Sequence, residues 1–554
     1  MLRLDIVFTS LILLLTVALS GVLMGLLPIA LPKPLVQIAI GAGLALPGFG
    51  LHVSLDPELF FVLFIPPLLF ADGWRMPRRE FRRLGVPIAA LALGLVMVTV
   101  VLVGYFVHWM IPAVPLAAGF ALGAVLSPTD AVAVSAISGG APFPPRLLHI
   151  LQGEALMNDA SGLVALRFAI AAALTGSFSL ADATLSFVLI AAGGLATGVG
   201  LAWSFSQVRR YLTRWRADDT SSHVALLMLI PFAAYLLGES LGVSGILSAV
   251  AAGMTLNSVN TLRGELATRM QTNSLWSILE FVFNGIVFVL LGLQMPKILG
   301  HASDSMREIG DGGWWHLGLF IAAITGVLLV TRYLWIWVLL RLMLLRARLK
   351  NRDTPRLSTR IIAITTLAGV RGAITLAAVL SLPLAVEDGT AFPARGVLVF
   401  IAAGVILTSL TLGSLCLPPL LRSVKLPDDD PRAREERHAR TQAAREAIKA
   451  LEAEQKRHTQ DAEDPDSTLH AEVSARVMAG YKPRLDPDND AEDSRRIRRG
   501  FDIEKQLRLT ALRAEREELY RLRQNADIND ETLRRILADL DLTEASLLGP
   551  THRH

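Results

Sequence analysis

Residues 114–138 read VPLAAGFALGAVLSPTDAVAVSAIS, a mainly apolar stretch with Ser127, Pro128, Thr129 and Asp130 at its centre. About 20 apolar residues in a helix cross the hydrocarbon core of a bilayer, so this stretch fits one membrane span. A proline inside the run removes a backbone donor and interrupts the helix. The stretch therefore predicts a membrane-spanning helix that is broken near its middle, with a carboxylate at the break.

The composition of the whole chain agrees with a membrane location. Of 554 residues, 52% are hydrophobic and only 18% are charged, and the mean hydropathy is +0.48. These values exclude an ordinary soluble protein of this length. The net charge of +4 comes with arginines in short clusters between apolar runs, which is typical of membrane topology, and we expect no nucleic-acid partner.

Apolar segments of span length recur along the chain up to about Leu421, and we count about thirteen of them. The predicted fold class is an all-α polytopic protein in a lipid bilayer. The segments lie at 4–26, 29–48, 58–73, 84–110, 114–138, 147–175, 180–206, 221–238, 242–257, 273–296, 314–345, 358–385 and 396–421.

Positive charge gathers in alternate loops, as the positive-inside rule expects of cytoplasmic loops. These clusters follow the third, seventh, ninth and eleventh spans, and they contain Arg75, Arg78, Arg79, Arg82, Arg83, Arg209, Arg210, Arg214, Arg216, Arg263, Arg269, Arg346, Arg348, Lys350, Arg352, Arg356 and Arg360. We therefore predict a multi-pass protein of the bacterial inner membrane with its N-terminus outside.

The composition changes abruptly to Asp, Glu, Arg and Gln after Val424. We predict a transmembrane domain at 1–424 and a cytoplasmic C-terminal tail at 425–554. Stretches near 434–458 and 501–540 favour helices, whereas 460–495 is rich in Asp and Pro and is expected to be flexible. The tail is interpreted as a helical hairpin packed on the membrane domain or on a second copy, with a regulatory role as the alternative.

Asp130, Asp159 and Arg371 are ionisable residues inside predicted spans, where charges are costly and usually face a cavity or a partner. Counting from the expected cytoplasmic ends at the helical rise, we place them at depths of about 12, 18 and 20 Å. All three thus lie near the middle of the bilayer, as expected of an ion pathway and not of a simple anchor.

Helical geometry separates the polar residues of the sixth span. At about 100° per residue, Glu154 and Asp159 point about 140° apart, so they do not face one small site together. Ala155 shares the face of Asp159, whereas Asn158 shares that of Glu154. We therefore predict that Asp159 is free to bind a cation and that Glu154 forms a buried structural ion pair with Arg371.

Asp130 also has a structural interpretation. A carboxylate at the start of the half-helix after Pro128 accepts hydrogen bonds from free backbone N–H groups and interacts favourably with the helix dipole. We expect Asp130 to cap this half-helix, a role that is compatible with lining an ion site.

The twelfth span is interrupted in a similar way, at Gly369-Val370-Arg371-Gly372. Spans 5 and 12 are seven apart and run in opposite directions, and paired broken helices in two inverted halves indicate a transporter binding site. We predict inverted repeats formed by spans 1–6 and 8–13, with broken crossing helices in spans 5 and 12.

These motifs resemble those of a known family. They are similar to the core motifs of NhaP-type bacterial sodium/proton antiporters, which belong to the monovalent cation:proton antiporters and are related to eukaryotic sodium/proton exchangers. The resemblance covers the whole membrane part, and its motifs are Ser127-Pro128-Thr129-Asp130, Gly153-Glu154, Asn158-Asp159, Gly369-Val370-Arg371-Gly372, Pro66-Pro67-Leu68-Leu69-Phe70, Ser244-Gly245 and Asn284-Gly285-Ile286-Val287-Phe288 with Gly292.

The resemblance implies roles for the matching residues. Asp159 is expected to bind the cation and the proton, with Na⁺ held at Asp159 and Asp130. Thr129 lines the same site, and Asn158 supports it. Because Asn158 is an amide and does not titrate, the resemblance favours electroneutral exchange of one cation for one proton.

Some positions depart from the family pattern. Ala155 stands where the family often has Ser, so one hydroxyl ligand is missing. Relatives often have an acid where Ala71 stands, whereas here the acid is Asp72, and whether Asp72 contributes stays open at this point. Arg167, in the outer half of the sixth span, is also unexpected; it either extends outward or pairs with an acid that the sequence does not identify.

The function that the resemblance implies is sodium/proton antiport by alternating access in a homodimer, with Na⁺ and H⁺ as transported ions and no cofactor. A potassium/proton antiporter on the same scaffold is the close alternative. A transporter-like membrane sensor that signals through its tail is the alternative from another class. An enzyme is disfavoured, because the sequence has no nucleophile and base pair and no His or Cys cluster suited to a metal.

Overall fold

The structure is a computed structural model that describes residues 2–26, 32–46, 56–138, 141, 143–175, 180–214, 220–260, 266–309, 314–349, 358–383, 392–424, 431–460, 467–481, 492–525 and 530–548. These residues fall into two compact units, Met1–Val424 and Lys425–His554. The elements within the described ranges are helices, with no β-strand among them.

The first half of the larger unit contains ten α-helices, with a π-helical stretch Ala90–Leu95 between the sixth and the seventh. They are α1 (Leu2–Leu26), α2 (Lys33–Leu44), α3 (Pro57–Leu63), α4 (Ile65–Arg75), α5 (Arg78–Arg83), α6 (Gly85–Ala89), α7 (Val96–Met110), α8 (Leu116–Leu126), α9 (Ala131–Ile137) and α10 (Pro145–Thr175).

The second half adds eight helices. They are α11 (Leu180–Arg214), α12 (Thr220–Ser240), α13 (Gly245–Asn260), α14 (Leu266–Ile309), α15 (Trp314–Leu349), α16 (Thr359–Leu367), α17 (Ala373–Leu380) and α18 (Arg395–Arg422).

The number of spans can be compared with the sequence prediction. Among the described residues, nine helices are long and apolar enough to cross a membrane, and the pair α8 and α9, bent by 54°, makes ten if it is counted as one span. Helices Lys33–Leu44 and Gly245–Asn257 are apolar but shorter. Each of the segments expected from the sequence contains helix, and the count of thirteen stays a prediction.

Both predicted breaks are present. Helix α8 ends at Leu126, and α9 begins at Ala131 after the break at Pro128. Helix α16 ends at Leu367, and α17 begins at Ala373, so Gly369 to Gly372 form a non-helical break between them. The backbone N–H of Asp130 donates to the carbonyl of Val370 at 2.9 Å, which joins the two breaks where the helices cross.

The C-terminal unit contains four helices, α19 (Pro431–Gln460), α20 (Ser467–Ala479), α21 (Glu492–Gln524) and α22 (Asp530–Leu548). Helix α20 lies inside the stretch 460–495 that the composition predicted to be flexible; the remainder of that stretch is largely outside the described residues. Leu512 of α21 and Leu533 of α22 are buried, and Arg516 pairs with Asp541. The stretch near 501–540, for which the sequence favoured a helix, therefore belongs to two helices, α21 and α22, that pack against each other.

Candidate functional site

A cavity lies where the two broken helices cross, and its empty space is about 500 Å³, including the part open to solvent. Helices α4, α10 and α14 complete its wall. The residues that line the cavity include three carboxylates. Among the described residues, no basic side chain lines it, so the negative charge of the carboxylates should attract cations. The polar lining residues are Asp72, Thr129, Asp130, Asp159, Asn284 and Thr375.

Asp159 is placed by α10, and it is 6% exposed. Ala155, one turn earlier, lines the same cavity, as the face argument predicted. No described residue forms a hydrogen bond or ion pair with the Asp159 carboxylate, whose electrostatic neighbours are Asp130 and Asp72. A carboxylate with both oxygens uncommitted can take either a proton or a small hard cation.

Asp130 combines the two roles considered from the sequence. Its Oδ1 accepts hydrogen bonds from the backbone N–H groups of Val132 and Ala133, both at 2.9 Å, so it caps α9. It also lines the cavity. Its carboxylate is therefore held in place by the start of the half-helix that it caps.

Asn158 and Thr129 connect α10 to the break. The Nδ2 of Asn158 donates to the Oγ1 of Thr129 at 2.8 Å, while Oδ1 of Asn158 is buried without a partner among the described residues. Thr129 lines the cavity, but Asn158 does not. The structure thus places Asn158 behind the cavity wall, where it positions Thr129.

Asp72 is brought into the cavity, which answers the question that the sequence left open about its location. It lies on α4, and the preceding Ala71 is buried away from the cavity. One turn further along α4, Arg75 pairs with Glu280 of α14. No described residue hydrogen-bonds to the Asp72 carboxylate, which interacts with Arg75 only electrostatically, so its oxygens can accept a hydrogen bond or contact a cation in the cavity.

Asn284 and Thr375 are cavity residues that sequence reasoning did not select. The Nδ2 of Asn284 and the Oγ1 of Thr375 are buried without hydrogen-bond partners in the described part of the chain. Asn284 belongs to a motif of the family pattern, so its polarity inside an apolar span was the available signal. Unsatisfied buried polar atoms at a cavity wall are suited to contact water or an ion.

The predicted ion pair of Glu154 with Arg371 is wrong. Glu154 pairs with Arg332 of α15: Nη2 donates to Oε2 at 2.8 Å, and Nη1 donates to Oε1. Arg332 also donates from Nε to the carbonyl of Thr365 at 2.9 Å. The pair is 1% and 2% exposed and joins α10, α15 and α16. Sequence reasoning missed Arg332, although an arginine inside an apolar span was itself a signal.

Arg371 instead binds the carbonyl ends of two helices. Its Nε donates to the carbonyl of Leu126 at 2.8 Å, and Nη1 donates to the carbonyl of Gly369. These groups lie at the C-terminal ends of α8 and α16, where the helix dipoles are negative. Arg371 therefore neutralises the C-terminal ends at the crossing, as Asp130 neutralises the N-terminal end of α9.

Gly372 is required by this crossing. A Cβ at this position would overlap the Asp130 side chain. We expect Gly372→Ala to displace Asp130, to weaken its cap by about 1 kcal/mol and to lower transport strongly. Gly200→Ala, at a helical glycine with open space around it, is the matched control and should leave transport unchanged. Equal transport by the two variants would contradict a tight crossing.

Comparison with known proteins gives one family match and several relatives. Residues 11–423 match the family of transmembrane sodium/hydrogen exchangers. The chain is 49% identical over 547 residues to an uncharacterized Na⁺/H⁺ exchanger of Escherichia coli, covering 98% of this chain and 99% of the relative. It is 41% identical over 538 residues to a sodium, potassium, lithium and rubidium/H⁺ antiporter of Bacillus pumilus, covering 95% and 76%.

A solved structure has a similar fold. The sodium proton antiporter MjNhaP1 from Methanocaldococcus jannaschii superposes with a TM-score of 0.56 at 16% identity, covering 76% of this chain and 99% of that one. At this identity the likeness shows the fold alone, and it agrees with the predicted all-helical architecture.

Proposed function

Because the chain belongs to the sodium/hydrogen exchanger family, we propose that it exchanges Na⁺ for H⁺ across a membrane, at the cavity that contains Asp159. The family consists of transporters and not of enzymes. One observation supports this site above others: a buried carboxylate with no hydrogen-bond or ion-pair partner among the described residues lies where two broken helices cross, in a cavity lined by two further acids. Na⁺ is proposed to bind at Asp159 and Asp130, with Thr129 and Asp72 lining the same cavity.

Exchange follows from competition for Asp159. Its oxygens hold a proton or a cation, but not both well, so binding of one ion releases the other. If the site changes sides only when it is occupied, a cation that enters from one side must be exchanged for a proton from the other. This coupling needs no cofactor, and the transported ions are the only ligands it requires.

Potassium/proton antiport is the second candidate. It is supported by the Bacillus pumilus relative, whose name includes sodium, potassium, lithium and rubidium. Dequenching of a pH dye in everted vesicles by each chloride salt distinguishes the two. Dequenching by sodium chloride supports sodium/proton exchange. Dequenching by potassium chloride alone would instead support potassium/proton exchange.

The sensor alternative makes a different prediction. Truncation after Val424 removes the C-terminal unit, and an antiporter should keep its ion-dependent proton flux without it. A sensor would show no flux in the full chain.

We further propose the assembly and orientation that the sequence suggested. The protein is a homodimer in the bacterial inner membrane, with its N-terminus outside and the C-terminal tail in the cytoplasm. The arginine clusters after the third, seventh, ninth and eleventh spans support this orientation. Cysteine labelling at either end of α14 from one side of the membrane tests it.

Exchange is expected to be electroneutral, because Asn158 does not titrate and one Na⁺ for one H⁺ moves no net charge. The rate in proteoliposomes should then be unchanged when potassium and valinomycin set the membrane potential. A rate that depends steeply on voltage would require a second titrating group. Asp72 is the candidate for that group, and Asp72→Asn in the same assay would identify it.

A further inference from the structure

A second cavity lies further along α10, with an empty space of about 810 Å³ including the part open to solvent. It is lined mainly by apolar residues, with an acid and a base among them. Its polar lining residues are Arg167, Tyr235, Glu239, Ser244 and Ser381.

The second cavity continues the face of α10 that carries Asp159. Asp159, Leu163 and Arg167 follow one another at intervals of four residues, so they form one stripe along the helix. Asp159 lines the first cavity, and Leu163 and Arg167 line the second. Arg167 is about 12 Å from Asp159 along the helix axis. In the proposed orientation this cavity is on the outer side of the site.

An ion pair crosses this cavity. Nη2 of Arg167, on α10, donates to Oε2 of Glu239, on α12, at 3.0 Å. In the described parts of α10 and α12, the two backbones come close to each other at hardly any point. The ion pair is therefore a direct side-chain connection between two helices whose backbones lie apart.

Glu239 is held in place independently of Arg167. Its Oε1 accepts a hydrogen bond at 3.3 Å from the backbone N–H of Gly245, the first residue of α13. The turn that brings Gly245 back to Glu239 contains Gly242, whose φ of 70° suits glycine. If Arg167 moves away, the Glu239 carboxylate still faces the cavity.

The ion pair is suited to open and close. The side chains of Arg167 and Glu239 are 62% and 32% exposed, whereas those of the pair between Glu154 and Arg332 are almost fully buried. An ion pair that is exposed in a cavity open to solvent contributes little net free energy, so separating it costs little. A buried pair is costly to separate and acts as a permanent connection.

We propose that the ion pair between Arg167 and Glu239 is the outer gate of the ion pathway, which closes the second cavity and separates when the Asp159 site opens outward. The proposal rests on the proposed antiport function, because a gate implies alternating access. When the pair separates, Glu239 offers its carboxylate to a cation that moves between the outside and Asp159. Arg167 had no explained role in the sequence. In the closed state its guanidinium pairs with the Glu239 carboxylate.

A labelling experiment tests the gate without measuring transport. Cys416 is the chain's one cysteine, so Cys416→Ser gives a background in which Leu163→Cys reports on the second cavity. A membrane-impermeant thiol reagent is applied to the full-length protein from the outer side. We expect Glu239→Gln or Arg167→Gln to raise the labelling rate about two- to fivefold, the population shift expected from losing an exposed pair.

Two controls accompany this experiment. Glu472→Gln removes an ion pair that is more exposed, with Arg476 in the C-terminal unit, and should leave the rate unchanged. The exchanged pair Arg167→Glu with Glu239→Arg should return the rate towards that of the parent. An unchanged rate in both single variants would overturn the gate, as would a rise of the same size with Glu472→Gln.

A cross-linking experiment tests whether separation is required. Arg167→Cys with Glu239→Cys, in the Cys416→Ser background, is joined by a short reducible bismethanethiosulfonate reagent. Proton flux should stop and should return on reduction, while the two single-cysteine variants should be unaffected by the reagent. Full flux in the cross-linked protein would contradict the gate. Absence of flux in the Cys416→Ser parent would instead contradict the antiport function, and the labelling result would still decide the gate.

Discussion

Asp159→Asn should reduce sodium-dependent proton flux to the level of empty liposomes. The amide retains the size of the side chain, but it neither releases a proton nor balances the charge of Na⁺, so both halves of the exchange are lost. Asp159 has no protein partner among the described residues, so the folded protein should be as stable as the parent or more so. Flux in proteoliposomes and thermal unfolding of the solubilised protein measure the two effects.

Asp56→Asn is the matched control. Asp56 caps α3 outside the cavity, where its Oδ1 accepts from the backbone N–H of Glu58 at 2.9 Å. Asn caps helices about as well as Asp, so this variant should retain both flux and stability. Wild-type exchange by Asp159→Asn would remove the proposed site.

Asp130→Asn separates capping from charge. The amide oxygen can still cap α9, so a severe loss of flux with normal stability would assign a transport role to the carboxylate. Lower stability with normal turnover would mean that capping is the whole role of Asp130.

Glu154→Ala and Arg332→Ala should each destabilise the protein by about 3–5 kcal/mol, because each leaves a buried charge without its partner. The double variant removes both charges and should recover part of this loss. The temperature of half-unfolding and the yield of solubilised protein measure the effect. A strictly additive double variant would show that the two residues do not act as a pair.

Arg371→Ala provides the comparison for this experiment. Combined with Glu154→Ala, it should recover less of the loss than Arg332→Ala does, because Arg371 hydrogen-bonds to the carbonyls of Leu126 and Gly369 and interacts with Glu154 only electrostatically, without a hydrogen bond. Recovery in that combination, and not with Arg332→Ala, would restore the partner that the sequence suggested.

The sequence predicted those features of the site that depend on local patterns. Pro128 and the glycines beside Arg371 indicated the two breaks, and the helical period separated Asp159 from Glu154. The partner of Glu154 was not predictable in this way, because Arg332 and Arg371 both lie inside apolar spans. The choice between them depends on how α10, α15 and α16 pack, which is a tertiary property.

The remaining cavity residues show the same limit. Asp72 is adjacent to the position that the family pattern indicated, and the rotation of α4 decides whether it or Ala71 faces the cavity. Thr375 is one threonine in an apolar helix, a residue that is ordinary in a membrane span unless its neighbours are known. In the tail, composition predicted helices but did not predict α20 or the division between α21 and α22.

Proton flux in proteoliposomes that contain only the purified wild-type protein tests most directly whether this chain exchanges Na⁺ for H⁺. A pH dye in the lumen should report alkalinisation when sodium chloride is added outside, because entering Na⁺ displaces protons outward, whereas choline chloride should have no effect. A lumenal pH that stays unchanged with sodium chloride would contradict sodium exchange, and a pH that stays unchanged with potassium chloride as well would contradict antiport of either ion.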